Sequence, residues 1–386
     1  DLTNVVPAVS TSIGAIAGAF EKGPVSEITA VSSEEDLVRL FGKPNGSNFE
    51  TFFTASNFLQ YGNALRVVRA QSAVTNAMSG GSGLLIKSDT HYQDNFAAGQ
   101  GSSGEWGART AGTHGNSLGV SMCIGTLAYE QTFAGNAGTL GVTTGTPAAG
   151  ATTVGVDTGF GSAGAVGAAY NVGDIVHFQE ADGQEYEVTA ISTDNLTIRR
   201  LDDPNGGGLK TALSAATNVR RRWAFYDLFD SAPGTSTYAT GKGFTDDEMH
   251  IVVFDRTGLI SGFRKDTAGE RTNAVLETFP FVSKAFGAKT SQGGTNYYAD
   301  VIFKQSQFVY WLDHSSVLGA GGGKIAAGTA GTSGDAFAVG TGTTGEIPFS
   351  LSGGTDDYAV TVGELDTAYG EFADGETVDV NLIMAG

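Results

Sequence analysis

The sequence predicts an α+β protein of several domains, in which both chain ends form one mixed α/β unit and β-rich domains are inserted between them. Two observations predict this class. Residues 1–75 and 346–386 alternate between helical and strand patterns, whereas the residues between them carry mainly the period-two alternation of strands. In addition, 57 glycines and only 8 prolines indicate many strands and tight turns.

These patterns predict three domains. The mixed α/β unit takes residues 1–88 and 346–386, and an inserted α+β domain takes residues 89–135 and 206–345. Residues 136–205 form a small outer domain that resembles a β-barrel. We therefore expect a discontinuous unit whose two halves come from opposite ends of the chain.

The N-terminal segment predicts helices and strands in turn. Ser32 and Glu35 have the spacing of a capping box, and Gly42 is a typical stop for the helix that follows. In order, the predicted elements are a strand over Val9–Phe20, a short extended stretch over Glu27–Val31, this helix, a second helix that begins near Phe49 and ends at Gly62, and a strand over Leu65–Ala70.

The C-terminal segment has the same character. Thr361 and Glu364 are spaced as a second capping box. The helix after them carries its apolar stripe at i, i+3, i+4 and i+7, and a strand over Val378–Met384 follows. The residues of that stripe are Leu365, Ala368, Tyr369 and Phe372.

The middle of the chain predicts mainly strands. Apolar residues alternate by twos between residues 170 and 200, and Asp182-Gly183 has the composition of a hairpin turn. We expect a second hairpin from His250–Asp255 and Leu259–Gly262. The other predicted elements are strands over Asn116–Cys123, Tyr297–Phe303 and Phe308–Leu312, and a long helix with Val275, Leu276, Phe279, Val282 and Phe286 on one face.

Composition and charge argue against several classes of function. The chain has 22 basic and 41 acidic residues and a net charge of -19, which argues against binding to nucleic acid or to an anionic membrane surface. Cys123 is the single cysteine, so neither an intrachain disulfide nor a Cys-based zinc site is expected. No apolar run approaches the ~18 residues that span a bilayer.

The N-terminus does not resemble a signal peptide. Residues 1–20 lack a basic region, and Pro7 interrupts their apolar part. Because the chain begins at Asp1, we expect that its N-terminus has been cut or processed.

Motifs for catalysis or metal binding are weak. The best candidate for a metal or acid–base site is the run Asp246-Asp247-Glu248-Met249-His250, because paired carboxylates beside a histidine can hold a divalent ion. The alternative is an acidic turn that leads into a strand. The five histidines form neither a His-x-His nor a His-Glu-x-x-His pair. We therefore expect no enzyme, no cofactor and no bound metal.

Two other motifs are incomplete. The segment Gly319–Lys324 suggests a phosphate loop, but Leu318 replaces its first glycine and Ile325 its Ser or Thr. Phe160 spoils the Gly-x-Ser-x-Gly pattern near Ser162.

The one basic run is Arg220-Arg221-Arg222, followed by Trp223. One aromatic residue beside three arginines is a weak signal for nucleic acid. A strand edge or an interface with an acidic neighbour is the preferred interpretation.

Several segments resemble the contractile-tail sheath proteins of T4-like bacteriophages. The opening is carried by Ser12–Pro24 and by the helix around Leu37–Gly42, and the segments Asn57–Asn63 and Leu65–Ala70 are especially similar. Further matches, in the expected order, are Gly115–Leu118, Ala232–Thr235, Asp247–Val253, Tyr297-Tyr298, Leu351–Gly354, Phe372–Asp374, Val378–Val380 and Ala385-Gly386.

The resemblance implies a mechanical function. Sheath subunits polymerise as stacked rings around the tail tube and contract when the baseplate triggers them, which drives the tube through the host envelope. Implied partners are other sheath subunits, the tail tube protein and the baseplate. Nucleic acid and membrane insertion are not implied. The implied location is the virion tail, with assembly in the bacterial host cytoplasm.

The resemblance also implies how subunits join. Terminal arms add strands to the sheets of neighbouring subunits, and Leu2, Val5 and Val6 are the expected remnant of such an arm. It further implies that this chain covers the N-terminal and middle parts and lacks a C-terminal α/β domain. The region 136–205 resembles the variable outer insertion of the family in position only.

Three alternatives remain open. A related sheath could serve a bacterial contractile injection system. A glycine-rich, acidic composition also occurs in surface or receptor-binding β proteins. A metal-dependent hydrolase would use Asp246, Asp247, Glu248 and His250.

Overall fold

The computed structural model describes residues 12–81, 83–100, 102–131, 142–157, 170–180, 182–203, 205–262, 274–315, 346–376 and 378–386. These residues fall into two compact units. The first lies within Asp1–Ala97, Ala108–Asn116 and Ser352–Gly386, and the second within Ala98–Gly107 and Ser117–Leu351. Helices and several sheets are both present, so the predicted α+β multidomain class is confirmed. The three-domain division stays a prediction.

Helices and strands alternate along the described part of the chain. The helices are α1 (Glu34–Phe41), α2 (Phe49–Leu59), α3 (Asp89–Asn95), α4 (Thr126–Tyr129), α5 (Thr237–Lys242), α6 (Tyr298–Gln305) and α7 (Val362–Gly370). The strands are β1 (Gly14–Gly18), β2 (Thr29–Val31), β3 (Leu65–Arg69), β4 (Trp106–Ala108), β5 (Leu118–Cys123), β6 (Glu130–Gln131), β7 (Val142–Thr144), β8 (Thr153–Asp157), β9 (Ile175–His177), β10 (Glu185–Ser192), β11 (Asn195–Arg200), β12 (Arg220–Arg222), β13 (Glu248–Asp255), β14 (Ala274–Ser283), β15 (Val309–Trp311), β16 (Glu346–Ser350) and β17 (Leu382–Met384). Short 3₁₀ helices cover Thr113–Ser117 and Tyr226–Leu228.

The first unit is a mixed sheet with helices on both faces. Its strand order is β17-β1-β3-β2, with β17 and β3 parallel to β1 and β2 antiparallel to β3. Alternate residues of β1 point to opposite faces. Ile16 therefore packs in the core under α1 and α2, whereas Ala15 and Ala17 pack with Ala368 of α7. The predicted stripe of Leu365, Ala368, Tyr369 and Phe372 packs in one apolar cluster on the α7 side of the sheet. On α2, in contrast, Phe49 and Phe53 are about half exposed.

The helix ends of this unit agree with the sequence except at one position. Thr361 and Glu364 form the predicted capping box at α7. Gly42 ends α1 with a φ of 85°, a conformation that favours glycine. The N-cap of α1 is Ser33 and not Ser32: Ser33 Oγ accepts from the Asp36 amide, while Ser32 Oγ donates to the Asp36 carboxylate. The predicted capping box at Ser32 and Glu35 is therefore wrong by one residue.

Strand lengths in this unit differ from the predictions. Within the described part of Val9–Phe20, β1 takes only Gly14–Gly18. The strand predicted over Val378–Met384 is reduced to its last three residues. Val378 and Val380 still pack on the α7 face of the sheet, so their apolar character reflects core packing without strand pairing.

The second unit contains an antiparallel four-stranded sheet of order β14-β13-β5-β16. Its central strand β5 is buried along its whole length. Cys123 at the end of β5 is fully buried, and its Sγ lies 3.6 Å from the carbonyl oxygen of Gly125. The strands β4 and β15 form a separate two-stranded sheet.

A seven-stranded antiparallel sheet of order β6-β12-β9-β10-β11-β8-β7 completes this unit. The predicted hairpin at Asp182-Gly183 is confirmed by the pairing of β9 with β10. The sheet extends beyond residues 136–205, because β6 and β12 belong to it and Leu209, Leu213 and Val219 lie in its core.

The long helix predicted around Val275–Phe286 is wrong, because residues 274–283 form strand β14. β14 pairs with β13, and the register shifts between Met249 and Ile251 and between Val253 and Phe254. Such irregularities break the strict alternation of a strand. The buried residues Phe279 and Val282 therefore lie three positions apart, a spacing that also occurs on one face of a helix.

Two other predictions in this region are also wrong. Residues 298–305 form helix α6, not a strand, and Tyr298, Ala299, Val301 and Ile302 make its buried face. No strand returns through Leu259–Gly262, because the Asp255 carboxylate accepts hydrogen bonds from the amides of residues 257, 258, 260 and 261 and holds them in a turn. The strand predicted over Phe308–Leu312 is confirmed as β15.

Candidate functional site: an exposed sheet edge

Strand β17 forms one edge of the sheet in the first unit. Leu382, Ile383 and Met384 lie beside Gly14, Ala15 and Ile16 of β1. Among the described residues, no strand pairs with the other side of β17. The backbone amides and carbonyls on that side are therefore available to a further strand.

Side chains at this edge are apolar and accessible. Leu382 is 47% exposed and Ile383 is 62% exposed. Soluble proteins usually protect such an edge with charged residues, proline or a bulge. Here the strand carries neither a charge nor a proline, so its chemistry suits pairing with another strand.

Hydrogen bonds hold this edge in place. Asn381 Oδ1 accepts from the amide of Ile13 at 3.0 Å, and the Asn381 amide donates to the Ile13 carbonyl at 2.9 Å. At the other end, the Tyr369 hydroxyl donates to the carbonyl of Met384 at 2.6 Å. The apolar stripe of the sequence includes Tyr369 but gives no indication that its hydroxyl holds the edge strand.

The base of α7 is also anchored. Glu364 closes the capping box and accepts two hydrogen bonds from Ser72, one of them from the amide at 2.8 Å. These bonds, first those from Ser72 and then those from Thr361, lower the pKa of Glu364 to about 2. The carboxylate therefore stays ionised at neutral pH and ties α7 to the segment after β3.

The predicted metal or acid–base cluster is structural. Asp247 is fully buried, and its carboxylate accepts from the amide of Ser236 at 2.7 Å, from the Ser236 hydroxyl at 2.8 Å and from the Ser283 hydroxyl. Ser236 is the N-cap of α5. Glu248 accepts from the Gly234 amide at 3.0 Å, and burial raises its pKa. Both carboxylates are therefore used to hold a turn.

His250 has both ring nitrogens occupied. Nε2 lies 2.9 Å from the Ser231 carbonyl oxygen, and Nδ1 accepts from the amide of Phe281 at 3.1 Å. Its ring stacks on Phe229 with centroids 4.1 Å apart, and burial lowers the pKa of the imidazole. A neutral core histidine fits these contacts. Within the described ranges, no three His, Cys, Asp or Glu side chains form a group suited to a metal ion.

The arginine run is internal to the second unit. β12 lies between β6 and β9, so the predicted strand edge is wrong. Arg221 is fully buried against Asp174. Arg220 and Arg222 pair with Glu130, and Arg222 also pairs with Glu185 at 2.5 Å. The acidic partners of this run thus come from the same unit.

Two other sequence features lie outside the described residues. They are Leu2, Val5 and Val6, which are predicted as the arm remnant, and the rejected phosphate-loop segment Gly319–Lys324. Among the described helices, none is both long and apolar enough to cross a membrane.

Comparison with known proteins bears on the alternatives. Residues 11–70 match the family described as the N-terminal region of domain III of the tail sheath protein Gp18. This part of the chain is therefore similar to a tail sheath domain. The range contains β1, β2 and β3 with α1 and α2, which make three of the four strands of the first sheet and the helices on one of its faces.

Curated tail sheath proteins are similar to the chain. That of Enterobacteria phage T4 is 52% identical over 61 residues, which cover 16% of this chain and 9% of that protein. That of Vibrio phage KVP40 is 47% identical over 75 residues, or 19% and 11% of the two chains. That of Salmonella phage ViI is 25% identical over 317 residues, which are 80% of this chain and 46% of that protein. The predicted resemblance to phage tail sheath proteins is confirmed.

The matched part spans less than half the length of each of these tail sheath relatives. Solved structures of sheath tail proteins from Listeria innocua and Desulfitobacterium hafniense each overlap with 54% of the chain and 34% of their own, at 10% and 9% identity. Their TM-scores of 0.21 and 0.18 are too low to bear on the fold.

Proposed function

We propose that the chain is part of a structural subunit of a phage contractile tail sheath, which polymerises around the tail tube and contracts to drive it through the host envelope. One observation carries this proposal: 80% of the chain aligns with a single phage tail sheath protein. Other sheath subunits, the tail tube protein and the baseplate are the proposed partners. The proposed location is the virion tail, after assembly in the host cytoplasm.

The proposal needs no catalytic site. Asp247 and His250, the candidate catalytic side chains, instead hold a turn and a core contact. A mechanical subunit acts through contacts that differ between its extended and contracted states, because only a difference in contacts can shift such an equilibrium.

Electron microscopy and sedimentation velocity test the proposal. We expect hollow tubes from the complete reading frame that encodes this chain, assembled under low-salt and high-salt conditions. If that protein stays monomeric throughout, the sheath proposal is wrong, and specific binding to a carbohydrate or protein ligand would favour a receptor-binding β protein. Tubes found on a cellular injection apparatus without phage particles would favour the bacterial system.

We further propose that the edge of β17 receives a strand from a neighbouring subunit, as the resemblance implies. The accessible backbone and the exposed side chains of Leu382 and Ile383 support this assignment. The terminal arm that includes Leu2, Val5 and Val6 is the proposed donor. Main-chain hydrogen bonds would supply affinity, and the apolar side chains would fix the register.

A lysine substitution in the complete protein tests whether this edge is a contact between subunits. Ile383→Lys places a charge on the proposed contact, so we expect tube formation to be lost or slowed. Val362→Lys is the matched control, because Val362 is 84% exposed on α7 and is not part of the edge strand. Normal tubes with Ile383→Lys would exclude this edge as the contact.

The seven-stranded sheet is proposed as a module that assembly does not require. Its strands run from β6 to β12, so a deletion should remove residues 130–222 and not only 136–205. We expect the shortened complete protein still to form tubes. A soluble, folded but non-assembling deletion variant would show that the module takes part in assembly.

A further inference from the structure

Arg69 is a fully buried cation at the end of β3 in the first unit. Its Nε donates to Gln71 Oε1 at 2.7 Å. Its Nη1 donates to the carbonyl oxygens of Gly23 at 3.2 Å and Ala111 at 2.8 Å. These three acceptors are uncharged, so none of them neutralises the guanidinium.

The remaining nitrogen, Nη2, has no hydrogen-bond partner among the described residues. Burial of a charge is costly unless the charge is paired and its hydrogen bonds are made. An unsatisfied buried donor in a native protein therefore needs an explanation, and a bound ion is one of the few physical explanations.

The two carboxylates whose charges act on Arg69 accept hydrogen bonds from other groups. Asp356 has the strongest favourable charge interaction with Arg69, but its oxygens accept from the Thr113 amide at 2.8 Å and from the Thr113 hydroxyl at 2.6 Å. Glu21 accepts from the amide of Lys43 at 2.7 Å. Both carboxylates moderate the charge of the region without reaching Nη2.

Two basic side chains act electrostatically on the same histidine. Burial of the partly exposed imidazole of His114, followed by the charges of Arg69 and Lys22, lowers its pKa to about 4. Lys22 is half-buried and forms no ion pair within the described part of the chain. Arg69 and Lys22 thus both place positive charge near His114, which is neutral at pH 7, and Asp356 offsets part of that charge.

We propose that Nη2 of Arg69 binds a small monovalent anion of about the size of chloride. A cation is excluded by Arg69 and Lys22. A divalent anion is disfavoured because Asp356 and Glu21 act on the same guanidinium. A bulky organic anion is excluded because Arg69 is completely shielded from solvent. This inference does not depend on the proposed sheath function.

The test compares unfolding temperatures of the chain in sodium chloride, sodium bromide and sodium gluconate at equal ionic strength. A ligand that binds the folded state raises the unfolding temperature with its concentration. We expect higher values in chloride and bromide than in gluconate, and loss of this difference in Arg69→Met. Arg66→Met is the matched control, because Arg66 lies half-buried on the same strand, and it should keep the difference.

Arg69→Met removes a buried side chain and can destabilise the fold for that reason alone. Two further measurements therefore do not use this variant. Lys22→Gln should reduce the chloride-dependent rise without abolishing it. Crystals of the unmodified chain grown in bromide should show an anomalous peak within hydrogen-bonding distance of Nη2. Equal unfolding temperatures in the three salts, or a water molecule at Nη2 in bromide, would overturn the proposal.

Discussion

Arg221 and Asp174 form an ion pair in which both side chains are fully buried, with Arg221 Nη1 3.3 Å from Asp174 Oδ2. Arg221 Nη2 also donates to the carbonyl oxygens of Leu127 and Ala128, each at 3.0 Å. The pair therefore links β12 and the loop before β9 to α4.

Removal of one partner should be strongly destabilising. Asp174→Asn leaves the Arg221 charge buried and uncompensated, and we expect a loss of about 3–5 kcal/mol in the free energy of unfolding. The double variant Arg221→Met/Asp174→Leu should lose less than either single change. These free energies of unfolding can be measured in urea with tryptophan fluorescence as the signal, because all 3 tryptophans of the chain belong to the second unit.

The control for this prediction is a surface pair. Arg39 lies 3.1 Å from Asp36 on α1, and its side chain is 63% exposed. Arg39→Met should cost less than about 0.5 kcal/mol, measured by circular dichroism. A similar cost for both pairs would contradict the role assigned to burial.

His114 should make the first unit less stable in mild acid. Its folded pKa is about 4 and its ordinary value is 6.5, so the unfolded chain binds a proton between these values and the folded chain does not. This contribution is present above pH 6.5 and is lost as the pH falls toward 4. Between pH 6.5 and pH 5 the loss is about 1.6 kcal/mol.

The measurement compares the unmodified chain with His114→Gln by urea unfolding at pH 7 and pH 5, followed by circular dichroism. Glutamine does not titrate, so the variant should lose less stability over this range. Identical losses in both proteins would show that other groups cause the acid sensitivity.

Tyr369→Phe should loosen the edge strand. The change removes the hydroxyl that donates to the Met384 carbonyl, and a hydrogen bond of this kind contributes about 1 kcal/mol. We expect faster amide hydrogen exchange in peptides that cover β17. Tyr61→Phe is the control, because Tyr61 is 94% exposed and a change there should leave exchange in β17 unaltered.

Thr361→Ala should weaken the start of α7. It removes the hydroxyl that accepts from the Glu364 amide, and loss of an N-cap costs about 1 kcal/mol. Thr361→Ser keeps the hydroxyl and should retain most of the stability. Hydrogen exchange in residues 362–370 distinguishes the two, and equal protection in both variants would contradict the capping role.

Local signals predicted the elements of the first unit well. The start of α7 has a capping box followed by an apolar stripe, and α1 has a capping serine and a glycine stop. Several independent local preferences therefore favour the same helices. Local signals do not fix the exact start of α1, because the adjacent Ser32 and Ser33 can both act as a cap and the structure uses Ser33.

The errors in the second unit have physical causes. Pro280 within the predicted helix was a signal against it, and proline is tolerated in β14 because that strand lies at the edge of its sheet. Tyr297–Phe303 is rich in residues with high strand propensity, yet tertiary packing of one helical face determines its structure.

The candidate sites were harder to predict than the elements. Arg69 donates hydrogen bonds to Gly23 and Ala111, which are remote in sequence. No sequence motif predicts contacts of this kind. In contrast, the run Asp246–His250 has the composition of a metal or acid–base site. In the structure, however, Asp247 and His250 form hydrogen bonds with separate backbone groups, at Ser236 and Ser231.

The burial of Cys123 provides a reporter that needs no engineering. As the single thiol of the chain, enclosed in the central strand of the four-stranded sheet, it reacts with an alkylating reagent only when that sheet opens. The rate of labelling therefore reports how often this sheet opens. The same reaction, carried out on assembled tubes, would show directly whether assembly or contraction holds it shut.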